Sequence, residues 1–265
     1  TIHTIYFGGG TPSILDSHEL DLLLTAATRH FPVSHEAEIT LEANPDDLNK
    51  KKLTELRAHG FNRLSIGVQS FTDEVLSLLN RAHNSVTAKN SIVDARRAGF
   101  SNISIDLIYA IPGQDDNDWF LNIKQALELD PEHISAYSLT IEEKTVFGRL
   151  AGKGKFRAVD DDHAAVQMEI LIDILEGAGY EHYEISNFCK PGFQSRHNSS
   201  YWKGVRYLGV GPSAHSYDGM SRQYNVSNNH LYVKAIESGQ IPATFEALTR
   251  EDKINDYLLT TLRTS

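Results

Sequence analysis

The sequence predicts an α/β protein built on a parallel sheet with the character of a partial (β/α) barrel, followed by a smaller α+β C-terminal domain. Three observations predict it. Apolar, β-rich runs at residues 2–7, 38–42, 63–68, 103–109 and 133–139 are each followed by a stretch with helical spacing, so βα units succeed one another. Strands joined through helices lie parallel with right-handed crossovers, and both faces of such a sheet are covered. About five units fall short of the roughly eight of a closed barrel, so the barrel is partial or part of it lies outside this chain.

The accompanying helices are expected at 17–29, 49–59, 72–79 with 88–98, 116–129 and 161–177, where apolar residues recur every three to four positions. The chain opens at Thr1-Ile2 directly on a strand of buried type, with no flanking residues to protect it, which reads as a truncation at the N-terminus. After residue 145 the pattern changes. Gly152-Lys153-Gly154-Lys155 makes a polar break, short strand-like runs follow at 181–186, 207–210 and 214–217, and a closing helical run at 251–262 stops at Thr264-Ser265 without a cap. The expected domains are residues 1–145 and residues 146–265, the second cut at its end.

Composition narrows the function classes. With 265 residues, 40% hydrophobic and 23% charged, the chain has ordinary globular content. It contains no run of about 18 apolar residues and no basic-then-apolar leader, so a soluble cytoplasmic protein with no stable membrane insertion is expected. A net charge of -10 argues against nucleic acid as a partner, because such binders neutralise phosphates with clustered Lys and Arg. Cys189 is the single cysteine, which leaves no intrachain disulfide and no site built on several thiolates.

In parallel α/β folds, ligands sit beyond the carboxyl ends of the strands. The first strand ends in Gly8-Gly9-Gly10-Thr11-Pro12, whose glycines allow positive φ and close approach of a ligand; alone they serve a tight turn equally well. The second ends at Glu42-Ala43-Asn44-Pro45, with Glu42 able to accept from an ammonium or a ribose diol, or to stand as a solvated strand-end acid. The third runs through Gly67-Val68-Gln69, and the next helix closes on Asn80-Arg81, a side chain able to clamp a carboxylate. Asp106 stands inside an otherwise apolar fourth strand and needs a cation, a ligand hydroxyl or a structural salt bridge. Thr140 lines the end of the fifth. Together these suggest a polar, nucleoside-sized site.

These motifs, with Arg63-Leu64-Ser65-Ile66-Gly67-Val68-Gln69-Ser70-Phe71 and Asp106-Leu107-Ile108-Tyr109-Ala110-Ile111-Pro112-Gly113, occur in one order along nearly the whole chain. They resemble the radical S-adenosylmethionine (SAM) proteins of the oxygen-independent coproporphyrinogen III oxidase group. The resemblance implies a partial barrel of radical SAM type, truncated at its N-terminus by one βα unit. It implies that Gly9, Gly10 and Thr11 meet the amino-acid moiety of SAM while Glu42, Gln69, Arg81, Asp106 and Thr140 line the rest of the pocket. His197-Asn198-Ser199-Ser200-Tyr201-Trp202 resembles the HNxxYW motif of the HemW-type heme chaperones within that group. An imidazole can ligate heme iron while aromatic rings cover the macrocycle, so His197, Asn198, Tyr201 and Trp202 form the expected heme set, with His215 as another ligand choice. Without the motif, a locally bonded histidine and core aromatics would be the better reading.

The departure from the pattern is as informative. The family's three-cysteine loop, which holds a 4Fe-4S cluster and leaves one iron for SAM, is absent, so the cluster is expected only in a full-length protein and this chain is expected to be catalytically inert. Three functions compete. The first is heme binding with transfer to an acceptor protein whose identity the sequence does not give; the second is radical decarboxylation of coproporphyrinogen III in porphyrin biosynthesis. The third, a barrel enzyme using residues 8–11 for a phosphate, would need a second phosphate loop that the sequence lacks.

Overall fold

In a computed structural model describing residues 1–141, 147–149, 153 and 159–263, the chain forms two compact units, Thr1–Ser195 and Arg196–Ser265. The sequence reading divides the chain at 145/146, a point outside the described residues, as are Gly152, Gly154 and Lys155 of the polar break and Thr264-Ser265. The segment from 159 to 195 belongs with the first unit because its helix packs on the first unit's sheet and its strands extend that sheet.

Unit 1 contains β1 (Ile2–Phe7), α1 (Ser17–His30), β2 (Val33–Ala43), α2 (Lys50–Ala58), β3 (Arg63–Gln69), α3 (Asp73–Leu78), α4 (Ser85–Arg97), β4 (Ile103–Tyr109), α5 (Asp116–Glu128), β5 (His133–Ser138), α6 (Asp161–Gly177), β6 (Glu181–Glu184) and β7 (Asn187–Cys189). The sheet order is β1-β2-β3-β4-β5-β7-β6. The first five strands are parallel, and β7 runs antiparallel to both β5 and β6. Helix starts are fixed by acidic caps: Asp16 with Glu19 and Asp115 with Asp118 form reciprocal capping boxes, satisfying amides that have no partner within the helix.

Side chains alternate across a strand, so the register sorts the sheet into two faces. Ile5, Phe7, Ile39, Leu41, Leu64, Ile66, Ile103, Ile105, Leu107, Ile134 and Ala136 share one face and join the core beneath the helices. Tyr6, Thr40, Glu42, Arg63, Ser65, Ser104, Asp106, His133 and Ser135 share the other. A parallel sheet covered by helices on both sides would be apolar on both faces. The polar second face marks the concave side of a partial barrel that holds functional groups.

Unit 2 contains α7 (Arg196–Trp202), β8 (His215–Tyr217), β9 (Ser221–Asn225), α8 (Asn229–Glu237), β10 (Ala243–Ala247) and α9 (Arg250–Thr261), with sheet order β10-β9-β8, antiparallel throughout. Two expected strands need correction. The run at 207–210 makes only an isolated bridge from Tyr207 to Tyr217; Gly209 lies so close to the His215 carbonyl that a Cβ would collide with it. The run at 181–186 stops at Glu184, whose carboxylate accepts from the Ser186 amide (3.2 Å) and turns the chain into β7.

Candidate functional site

The carboxyl edge of the parallel strands gathers most of the expected SAM-site residues. Gly9 and Gly10 follow β1 with φ of +75° and +88°, and apart from their chain neighbours no atom of the described residues lies within 4 Å of where a Cβ would stand on either. Thr11 closes this turn, its carbonyl accepting from the Ile14 amide (3.1 Å). Glu42, near the end of β2, reaches across to the same loop: its Oε2 accepts from the Gly9 amide (3.1 Å) and its Oε1 from the Tyr6 hydroxyl (2.8 Å). Burial and the Glu42 charge push the Tyr6 phenol far up, so Tyr6 remains a donor.

Gln69 ends β3 with φ of +65°, unusual for a residue with a long side chain. Arg81 follows Asn80, itself at φ +53°, and its Nη2 donates to Asn44 Oδ1 (2.6 Å) and to the Gly67 carbonyl (3.2 Å). Burial lowers the Arg81 pKa, opposed by the nearby charges of Asp46 and Asp106. Gly67 makes the arrangement possible, since a Cβ there would stand 2.8 Å from Gln69 Nε2 and 3.3 Å from Arg81 Nη2. Asp106 has its carboxyl pushed up to about 6, first by burial and then by Glu42. The Ser65 hydroxyl (3.3 Å) and the Ser135 hydroxyl are its hydrogen-bond partners. The sequence reading offered this carboxylate a cation, a ligand hydroxyl or a salt bridge; the partners found among the described residues are instead the protein's own serine hydroxyls. Thr140 is exposed beyond β5, and its hydroxyl lies 3.5 Å from the Ser138 carbonyl.

Several residues absent from the sequence-based set complete this edge. Tyr6 anchors Glu42, Asn44 anchors Arg81, and Ser65 and Ser135 hold Asp106. Period-two alternation could have placed the serines on the Asp106 face, but only with the strand register known. Deeper on the same face, buried His133 is bonded to the Ser104 hydroxyl (2.7 Å) and the Tyr183 hydroxyl (2.7 Å), and burial with the Arg63 charge holds it neutral.

In unit 2, α7 carries the expected heme set. His197 and Tyr201 stand one turn apart, with Nε2 to hydroxyl at 3.1 Å and rings perpendicular at 5.1 Å. Tyr201 packs edge-on against Tyr207 (4.6 Å), and Tyr207 leans on Tyr217 (6.1 Å). Trp202 lies under the Arg263 guanidinium at 5.1 Å, and its buried indole N–H has no hydrogen-bond partner among the described residues. Asn198 sits one turn before Trp202. His215 is exposed and lines a separate cleft of about 500 Å³ with Ser213, Tyr224, Asn225 and Thr244.

A mixed sheet with helices on its apolar face and polar groups along its carboxyl edge defines a radical SAM scaffold. The radical SAM superfamily model matches residues 1–123. The heme chaperone HemW of Bacillus subtilis is 40% identical over 264 residues, covering 99% of this chain and 70% of its own length. That of Mycobacterium tuberculosis is 38% identical over 249 residues, covering 94% of this chain and 64% of its own length. The chain thus spans about two thirds of the length of these curated relatives. Coproporphyrinogen III oxidase (HemN) from Escherichia coli superimposes with a TM-score of 0.84 at 26% identity, over 99% of this chain and 63% of that one. The chain belongs to the HemW family of radical SAM proteins.

The family implies SAM and a 4Fe-4S cluster, and the residues present fit the two differently. The edge offers backbone approach at Gly9 and Gly10 and a set of fixed donors and acceptors, which suits SAM. A cluster is not accommodated: Cys189 is the one cysteine, it is buried, and burial pushes its thiol up to about 12, away from the thiolate that binds iron. Among the described residues no group of three or more His, Cys, Asp or Glu could hold a metal ion, and no helix is long and apolar enough to cross a membrane.

Proposed function

We propose that this chain binds heme as cargo through the α7 face of unit 2 and belongs to a protein that passes heme to an acceptor. The observation that carries this reading is the 38–40% identity to heme chaperones over almost the entire chain, which includes His197, Tyr201 and Trp202. The local chemistry supports it. His197 has an aromatic neighbour that bonds its ring, so Tyr201 orients the imidazole for a ligand role, and Tyr201, Tyr207 and Tyr217 offer flat apolar area to a macrocycle. The Trp202 indole N–H, buried and without a partner among the described residues, is a donor for a heme propionate once the Arg263 side chain over the ring moves aside.

On the same reading, unit 1 binds SAM at its carboxyl edge. Gly9, Gly10 and Thr11 face the amino-acid moiety, Glu42 and Asp106 accept from it and from the ribose, and Gln69, Arg81 and Thr140 close the remaining side. With a reduced cluster SAM supplies a deoxyadenosyl radical; this chain has no residues for that cluster, so binding and orientation are what its own side chains contribute. We place the protein in the cytoplasm.

Titration of the 265-residue chain with hemin tests the proposal. A shifted Soret band is expected, with affinity falling at least about tenfold in both His197→Ala and Trp202→Ala. Undiminished binding in both variants would refute the site. The likeness to HemN supports a second reading, oxidative decarboxylation of coproporphyrinogen III. Consumption of that substrate by the full-length protein with SAM and reductant, without a Soret shift on hemin addition, would favour it instead.

A further inference from the structure

We infer that His83 is a positioning residue for the SAM edge, holding the strained turn that aims Gln69. This inference rests on the reading that Gln69 lines a SAM pocket. Residues 68–70 form a three-residue turn: the Ser70 amide donates to the Val68 carbonyl (2.8 Å) around Gln69 at φ +65°. A γ-turn with positive φ is rare and costs energy, and it persists where surrounding contacts over-determine it.

Those contacts come from the loop between α3 and α4 and from helix α5. His83, whose side chain is fully buried, donates from Nε2 to the same Val68 carbonyl (3.0 Å), giving it a second donor beside Ser70. From the other side, buried Asn122 of α5 accepts the Phe71 amide (2.7 Å) and the Ser70 hydroxyl (3.3 Å) through Oδ1. His83 must therefore carry its proton on Nε2. Its Nδ1 is buried, has no hydrogen-bond partner among the described residues, and lies 3.8 Å from Asp46 Oδ1. Burial and the Arg81 charge favour this neutral form, opposed by the Val68 bond and by Asp46. An unsatisfied buried nitrogen carries a desolvation cost, and the arrangement keeps it in order to fix the carbonyl one residue before Gln69.

His83 also links two parts of the edge. It lies two residues beyond Arg81, which is tied to Asn44 and the Gly67 carbonyl, so the segment carrying Arg81 and the turn carrying Gln69 are locked to one another through Val68. Displacement of either moves both side chains.

The test uses the 265-residue chain and two variants. His83→Leu fills the space without a donor, and His83→Gln places an amide N–H near the position of Nε2. Hydrogen exchange at the Ser70 amide reports the turn, equilibrium dialysis with SAM reports the pocket, and thermal unfolding reports general damage. We expect Ser70 exchange to quicken at least tenfold in His83→Leu and SAM affinity to fall at least fivefold, with both returning to within twofold of the parent in His83→Gln. Unchanged Ser70 exchange in His83→Leu, or loss in both variants in proportion to lowered thermal stability, would overturn the positioning role. If the parent chain binds no SAM while Ser70 exchange still responds to His83, the positioning role stands and the SAM reading fails.

Discussion

The two units of this chain hold their shapes by different means. Unit 1 has a core of its own: Leu64, Ile66, Ile103, Ile105, Trp119 and Leu171 are completely buried between sheet and helices. In unit 2, Leu248 is the one apolar side chain that is buried among the described residues, while Val210, Phe245, Tyr257 and Leu262 are 63–83% exposed. Its order comes from local hydrogen bonds: the Thr249/Asp252 capping box, the Asp218 turn that accepts from the Met220 and Ser221 amides, and a short antiparallel sheet. A unit with a packed core can hold a positive-φ glutamine and a desolvated carboxyl in place, because close packing transmits little slack. A unit held by turns and caps presents its aromatic groups on a more yielding frame.

The largest effect expected of this contrast is on stability. Leu64→Ala should cost about 3 kcal/mol, from lost burial plus the cavity left in a close-packed core. Leu258→Ala, at a side chain 53% exposed, should cost less than about 0.5 kcal/mol. Urea unfolding of both variants measures this, and equal costs would break the contrast between the units.

A smaller effect should appear in the pH dependence, with opposite signs in the two regions. The Asp106 carboxyl has its pKa raised from 3.8 to about 6, so its contribution is fully present below the unfolded value and is lost as pH rises through the folded one. The loss is on the order of 2 kcal/mol between about pH 4 and pH 7. Asp218 is the reverse case. Backbone amides of Met220 and Ser221 lower its pKa, so its contribution is present above the ordinary carboxylate value and fades as the pH falls. Asp106→Asn should flatten the descending limb of stability from pH 4 to 7, while Asp218→Asn should alter only the acid side. A descending limb that survives Asp106→Asn would assign it to another group.

The same contrast governs what could be read from the sequence. The β1 and β4 strands and the α6 helix fall at their expected bounds, because long apolar runs and three-to-four spacing reflect the core they build. Most of the expected SAM-site residues lie at strand ends for a related reason, since the carboxyl edge of parallel strands is a place that topology dictates. Unit 2 was harder. The β9 strand reads Ser-Arg-Gln-Tyr-Asn, with no apolar face to give it away, and the sequence pattern places no element at β10 or α8 although Asn228 caps α8. Within unit 1 the unread features are tertiary: a glutamine at positive φ, a histidine bonded to a carbonyl 15 residues away, and serines that reach Asp106 only through strand register.

A small stability effect is also expected at Gly67, and it separates site geometry from packing within unit 1. The atoms a Cβ at Gly67 would crowd are Gln69 Nε2 and Arg81 Nη2, both at the ends of flexible side chains, so the backbone and the core beneath it have no reason to move. Gly67→Ala should therefore change unfolding free energy by less than about 1 kcal/mol, since a strand alanine also costs less backbone entropy than glycine. The two side chains must swing aside, however, and Arg81 would lose its bond to the Gly67 carbonyl or to Asn44. Dialysis with SAM should then show affinity at least tenfold below that of the parent chain while hemin titration stays unchanged, because α7 lies in the other unit. If SAM affinity survives Gly67→Ala, Gln69 and Arg81 do not face the ligand together, and the edge site would rest on Glu42, Asp106 and the glycine turn alone.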